Sequence, residues 1–99
     1  MRNQQVEKHR ADEYGVVGDL TFDTVVSVEV EGFDAIAESG DKVTIDLSEV
    51  TNCSSAALAL LLSWLRCAQQ QQKTLSFKDT PPTLLALIRG AELQAIFGV

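Results

Sequence analysis

The chain has 99 residues, 45% of them hydrophobic and 22% charged, an ordinary make-up for one folded domain with a modest core. Its formal net charge of −6 and its scattered Lys and Arg exclude the basic stripe by which a protein holds nucleic acid. The longest apolar run, residues 56–62, is far short of the roughly 20 residues that cross a bilayer. Residues 1–10 also lack the apolar segment of a secretory signal, so a cytoplasmic protein with no direct membrane insertion is expected.

Residues 1–12 are polar and read as a frayed lead-in or a weak edge strand. Residues 14–17 form a short apolar strand, Gly18 and Asp19 signal a turn, and residues 20–22 make a second extended piece. Asp23 then stands where a helix N-cap would. Residues 24–38 fit two periods. Val26, Val28 and Val30 alternate as in a strand, whereas Val26, Val30, Phe33 and Ala37 form a helical stripe that Ser39 and Gly40 would stop. Period alone does not decide between them, but the flanking extended segments need a crossover, which favours a helix.

Residues 42–47 are the clearest strand, with Val43, Ile45 and Leu47 on one face and Thr44 and Asp46 on the other. After a short polar turn, Ser54 or Ser55 caps a helix that runs to about Gln70, and the glutamines at 69–72 read as its frayed end. Residues 74–79 alternate as a further strand. Pro81 and Pro82 suit the first turn of a helix, where a missing N–H costs nothing. Gly90 breaks that helix, and residues 92–97 form a last short one. Strands alternating with helices indicate an α/β layer with at least partly parallel pairing.

Nothing in this pattern resembles a catalytic centre. His9, the one histidine, lies in the polar lead-in, the carboxylates are dispersed, and the glycines form neither a P-loop nor a dinucleotide fingerprint. Cys53 and Cys67 bracket most of the serine-headed helix; at about 1.5 Å rise per residue they are too far apart to bridge. Without nearby histidines they make no zinc site either. No cofactor and no metal are expected.

The serine-headed helix carries the functional signal. At 100° per residue, Ala57, Leu61, Trp64, Leu65 and Ala68 cluster on a core face with Leu58 and Leu60 at its margins. Ser55, Ala59, Leu62, Ser63, Arg66 and Gln70 occupy the opposite arc. That arc fits a solvated face with one incidental leucine. It equally fits a docking face on which small residues allow close approach, Leu62 anchors, and Arg66 reaches an acidic group. The two serines likewise have a capping role and a role at the positive end of a helix dipole, where an acidic partner group or a phosphate is favoured. Ser55 is a candidate phosphosite there, because added negative charge would leave the helix intact while blocking an interface.

Taken together, these residues resemble a STAS domain, the fold of anti-sigma-factor antagonists and of sulfate-transporter tails. Asp46, Leu47 and Ser48 are followed at the family's spacing by Ser54, Ser55, Ala56, Ala57 and Leu58. Ser55 falls on the family's Ser/Thr switch position. Ser54 stands where a carboxylate is usual and Ala57 where a glycine is usual, two departures that bear on kinase-dependent switching rather than on the fold. Within the family the MlaB-type subgroup is most similar, through residues 18–22 (Gly-Asp-Leu-Thr-Phe), the Leu-Ala-Leu-Leu-Leu run at 58–62, and Leu75 to Phe77 followed by residues 82–87.

The resemblance implies an α/β STAS fold over residues 13–99, with a mixed sheet of four or five strands and about four helices. It also implies a non-catalytic subunit, peripheral to the inner membrane, that binds the ATPase subunit of a phospholipid-transporting ABC complex maintaining outer-membrane lipid asymmetry. The partner-binding residues would be Ser54, Ser55, Ala59, Leu62, Ser63 and Arg66. The alternative is an anti-sigma-factor antagonist that binds a serine kinase and is phosphorylated on Ser55.

Overall fold

The computed structural model describes residues 5–98. Four strands and four helices follow in the order β1 (Gln5–Arg10), β2 (Glu13–Leu20), α1 (Val25–Glu38), β3 (Lys42–Cys53), α2 (Ser55–Gln70), β4 (Thr74–Lys78), α3 (Pro82–Gly90) and α4 (Gln94–Phe97). The strands lie in one sheet in chain order, β1-β2-β3-β4. The β1–β2 pair is antiparallel, and the β2–β3 and β3–β4 pairs are parallel. Parallel neighbours need a crossover, which α1 and α2 provide. The fold is thus the mixed α/β sheet with four helices that the sequence implied.

Alternation along β3 sorts the two faces of the sheet. Val43, Ile45 and Leu47 are buried, while Thr44 and Asp46 between them are half-exposed. Side chains from all four helices, among them Val28, Ile36, Leu61, Trp64, Leu84, Ile88 and Phe97, join Ile45 and Leu47 in one apolar cluster. The opposite face stays polar. Glu13 lies 3.3 Å from Lys78 Nζ, 3.6 Å from His9 Nδ1 and 3.9 Å from Arg10 Nε. The Lys78 ammonium chiefly holds the Glu13 carboxyl below the usual range. The His9 ring covers Gly15, where a Cβ would fall 2.4 Å from Nε2. The Thr44 and Ser76 hydroxyls meet at 3.3 Å across the β3–β4 pair.

Three local expectations are corrected. No turn forms at Gly18 and Asp19; β2 runs on through them to Leu20. Gly18 has a φ of 100° and the register with β3 shifts beside it, so the glycine marks a bulge rather than a reversal. Strand β3 does not stop at Leu47 but continues to Cys53, its polar second half pairing with the end of β2 through Glu49 with Val17 and Cys53 with Leu20. Asp23 is not the N-cap of α1. Thr24 is, and its hydroxyl turns back into the loop, accepting the Thr21 N–H at 2.9 Å and donating to the Asp19 carbonyl at 2.7 Å.

Residues 25–38 are helical, as the crossover argument required, but the buried stripe is not the expected one. Val28, Gly32, Ala35 and Ile36 face the core, whereas Val26, Val30 and Ala37 are exposed. The cause lies on α2. Trp64 is wholly buried against α1, and its indole Nε1–H donates to the Glu29 carbonyl at 3.1 Å. Only a glycine leaves room for that ring; a Cβ on Gly32 would sit 2.1 Å from Trp64 Cε2. Gly32 therefore fixes which side of α1 turns inward.

The far end of α1 has no basic residue in its last turn. Lys73, just ahead of β4, supplies one from a distance. Its ammonium donates to the carbonyls of Ile36, Ala37 and Ser39 at 2.5, 3.1 and 2.8 Å. These include acceptors that a helix C-terminus leaves unsatisfied, at the negative end of its dipole.

Gly32→Ala should destabilise the fold by about 1–3 kcal/mol through overpacking against the indole, even though alanine is the better helix former. Urea unfolding followed by Trp64 fluorescence measures this, and an unchanged midpoint would contradict the interlock. Lys73→Met, which keeps the aliphatic stem and removes the charge, should cost about 1–2 kcal/mol in the same assay.

Candidate functional site

The start of α2 is built from three backbone and side-chain anchors. The Ser54 N–H donates to the Leu20 carbonyl at 3.1 Å, which ties the head of the helix to the end of β2. Its hydroxyl accepts the Ala56 N–H at 3.1 Å and its carbonyl accepts the Ala57 N–H at 2.9 Å. Ser54 is thus the N-cap, and its hydroxyl is committed to the helix. Ser55 occupies the first helical position and is exposed.

Asp19 secures the strand ends beneath that tip. Its carboxylate accepts the Thr51 hydroxyl proton and a hydrogen bond from the Asn52 amide at 3.1 Å. The Thr51 hydrogen bond is the main cause holding the Asp19 carboxyl below the usual range. The neighbouring Cys53 thiol is pushed up, first by burial and then by the Asp19 charge. A thiol raised in this way is a poor nucleophile, which fits a packing role. Cys53 and Cys67 are both free and half-buried.

The core face of α2 follows the helical wheel closely. Ala57, Leu60, Leu61, Trp64 and Ala68 are buried, joined by Ala56, while Leu65 is half-buried. On the other arc Ser55, Ala59 and Arg66 are exposed, and Ser63 is half-buried. Leu62 is half-buried too and packs against the core cluster, so its side chain is shared between the interior and the surface.

Sequence reasoning did not find the apolar surface beside this arc. Phe22 and Val26 are 72% exposed and Val30 is 57% exposed. Phe22, Val25 and Val26 line a shallow hollow of about 200 Å³ together with Glu29 of α1 and Ala56, Ala59 and Leu60 of α2. A second hollow lies between Phe33 of α1 and Ser63, Arg66, Cys67 and Gln70 of α2. The structure thereby sets Ala59 beside Phe22 and Val26, and Ser63 and Arg66 beside Phe33. The signal was the Trp64 on α2: a large buried ring requires a small residue opposite, and Gly32 is the one glycine within α1. Placing Gly32 inward turns Val26 and Val30 out.

Other chemistry is sparse. Among the described residues, no group of three or more His, Cys, Asp or Glu side chains could hold a metal ion. His9 belongs to the polar sheet face with Glu13, away from the helical core. No described helix is long and apolar enough to cross a membrane.

With this geometry in view, the similarity to known proteins becomes specific. A family model described as "MlaB, STAS domain" matches residues 6–98. Among solved structures, the anti-sigma factor antagonist SpoIIAA in its unphosphorylated form superposes with a TM-score of 0.71 at 15% identity, over 91% of this chain and 81% of that one. The crystal structure of Mglu superposes with a TM-score of 0.52 at 17% identity, over 78% of this chain but only 19% of the other, so the domain corresponds to a small part of that protein. At such identities the two likenesses show the fold alone. No curated protein matches the chain. STAS domains are in general partner-binding modules without catalysis. From the family match over nearly its whole length and the shared fold, the chain belongs to the MlaB family of STAS domains.

Proposed function

We propose that this chain is a non-catalytic STAS subunit that binds and stabilises the ATPase subunit of a phospholipid-trafficking ABC transporter. It would act in the cytoplasm, peripheral to the inner membrane through its partner. The observation that carries this reading is the exposed outer arc of α2 within a MlaB-family fold. Ser55 and Ala59 stand at the surface on a helix whose inner face is fully committed to the core. Small side chains on a rigid helix allow a partner backbone to come close.

Such a subunit needs no chemistry of its own. If it binds the assembled ATPase more tightly than the separated subunits, mass action shifts the population toward assembly by the difference in affinity. The dispersed carboxylates and the raised thiol of Cys53 agree with a protein whose contribution is binding energy. Ser54 supports the surface indirectly, as the cap that fixes the angle of the helix.

A second reading follows from the separation of the two serines. Ser54 spends its hydroxyl on the cap, whereas Ser55 is exposed with no hydrogen bond to its hydroxyl among the described residues. A phosphate on Ser55 would sit at the positive end of the α2 dipole. This suits an anti-sigma-factor antagonist switched by a serine kinase.

Capture from a native extract by the immobilised chain should recover an ATPase subunit. Ser55→Arg and Ala59→Arg, both at exposed positions, should each lower recovery at least tenfold with an unchanged circular dichroism spectrum. Undiminished recovery by both variants would remove the proposed surface. For the second reading, incubation with the serine kinase encoded nearest the chain's own gene should add one phosphate by mass, lost in Ser55→Ala. An unmodified mass would rule that switch out.

A further inference from the structure

The outer face of α1 is apolar where a solvated helix would be polar, and its charges are all of one sign. Val26 stands beside Phe22 in the hollow that reaches across to Ala59, and Val30 is exposed one turn further along α1. Helix α1 carries Glu29, Glu31, Asp34 and Glu38, follows directly on Asp23 and Thr24, and contains no Lys or Arg. Glu29 lines the hollow itself, and its carboxylate has no hydrogen bond or ion pair among the described residues. Glu31, by contrast, is engaged, accepting the Val6 N–H at 3.0 Å. Apolar contacts and a carboxylate with no partner among the described residues thus share one recess.

That combination selects among occupants. A second copy docked by two-fold symmetry would press one acidic α1 against another. An anionic lipid surface would be repelled by the same charges. A protein segment with apolar side chains for the recess and a Lys or Arg for Glu29 meets both demands. The recess is also preformed, because α1 is pinned by Trp64 through the Glu29 carbonyl and by Lys73 at its C-terminus. Binding to a preformed surface avoids the cost of ordering it. At the other end, Arg66 beside Phe33 is the cation of the second hollow and gives the groove a direction.

We propose that the groove between α1 and α2 receives an amphipathic, basic segment of a partner protein, its apolar side chains against Phe22, Val26 and Ala59 and its Lys or Arg beside Glu29. On the adaptor reading above, on which this assignment of partner rests, the segment belongs to the ATPase subunit. The partner surface is therefore wider than the arc of α2 alone.

The test uses the full chain and a synthetic amphipathic helical peptide of leucine and lysine, with its leucine–glutamate counterpart as control. Titration followed by backbone amide NMR should move the signals of Val26, Val30 and Ala59 with the lysine peptide and not with the glutamate peptide. Val26→Asn, at an exposed position, and Glu29→Lys, at a half-buried one whose carboxylate has no partner among the described residues, should each weaken binding at least tenfold while thermal unfolding is unchanged. Equal binding of the two peptides, shifts elsewhere on the chain, unaffected variants, or self-association through this face in sedimentation would each overturn the proposal. The same variants in the extract experiment separate the two claims. Capture lost in Ser55→Arg but kept in Val26→Asn and Glu29→Lys would leave the adaptor reading standing and sink this one. A wild-type chain that captures no ATPase yet discriminates the peptides as described would do the reverse.

Discussion

The contact of the Trp64 indole with the backbone of α1 at Gly32 governs how the rest of the molecule is arranged. The ring is wholly buried, donates its one proton to the Glu29 carbonyl, and lies where any side chain on residue 32 would be. A buried indole without an acceptor would be costly, and a large ring against a bulkier residue would force the helices apart. The two helices that cross between parallel strands are therefore locked in rotation as well as in distance. Because Gly32 must point inward, Val26 and Val30 must point outward. The apolar surface of α1 is a geometric consequence of the core.

A second set of contacts joins that helical layer to the sheet at the C-terminal ends of the strands. The Leu20 carbonyl accepts from Ser54, the Asp19 carbonyl accepts from Thr24, and the Asp19 carboxylate gathers Thr51 and Asn52. The end of β2 thus holds the beginnings of both α1 and α2. Crevices outside the strand carboxyl ends are where open α/β sheets usually bind. Here the helix starts that meet there are held by the sheet rather than by one another, so the tip carrying Ser55 is placed with little freedom.

Much of this was legible in the residues. The alternation of Val43, Ile45 and Leu47, the capping serine, the proline at the first position of α3 and the core face of α2 each follow from a local rule, and each is where that rule puts it. The misreadings came where a local signal has two physical meanings. Gly18 with Asp19 is a turn signal in isolation, yet a positive φ at glycine serves a strand bulge equally well. The polar run from Ser48 to Asn52 looks like a loop, and becomes strand because β2 offers it a partner. Period alone puts Val26, Val30, Phe33 and Ala37 on the inner stripe of α1, while the deciding constraint is a ring thirty-two positions beyond Gly32. Long-range packing of this kind leaves no mark in a single helix's pattern.

The polar side of the sheet gives the molecule a handedness of contact. Glu13 with Lys78 and Arg10, the His9 ring laid over Gly15, and the paired hydroxyls of Thr44 and Ser76 make a wall that water can keep wetting. Desolvating fixed charges gains nothing for an apolar visitor. The domain therefore has two unlike faces, exposed apolar side chains on its helical flank and paired charges on its strands. Such a module can be added to a larger machine by one flank without gluing that machine to its neighbours by the other.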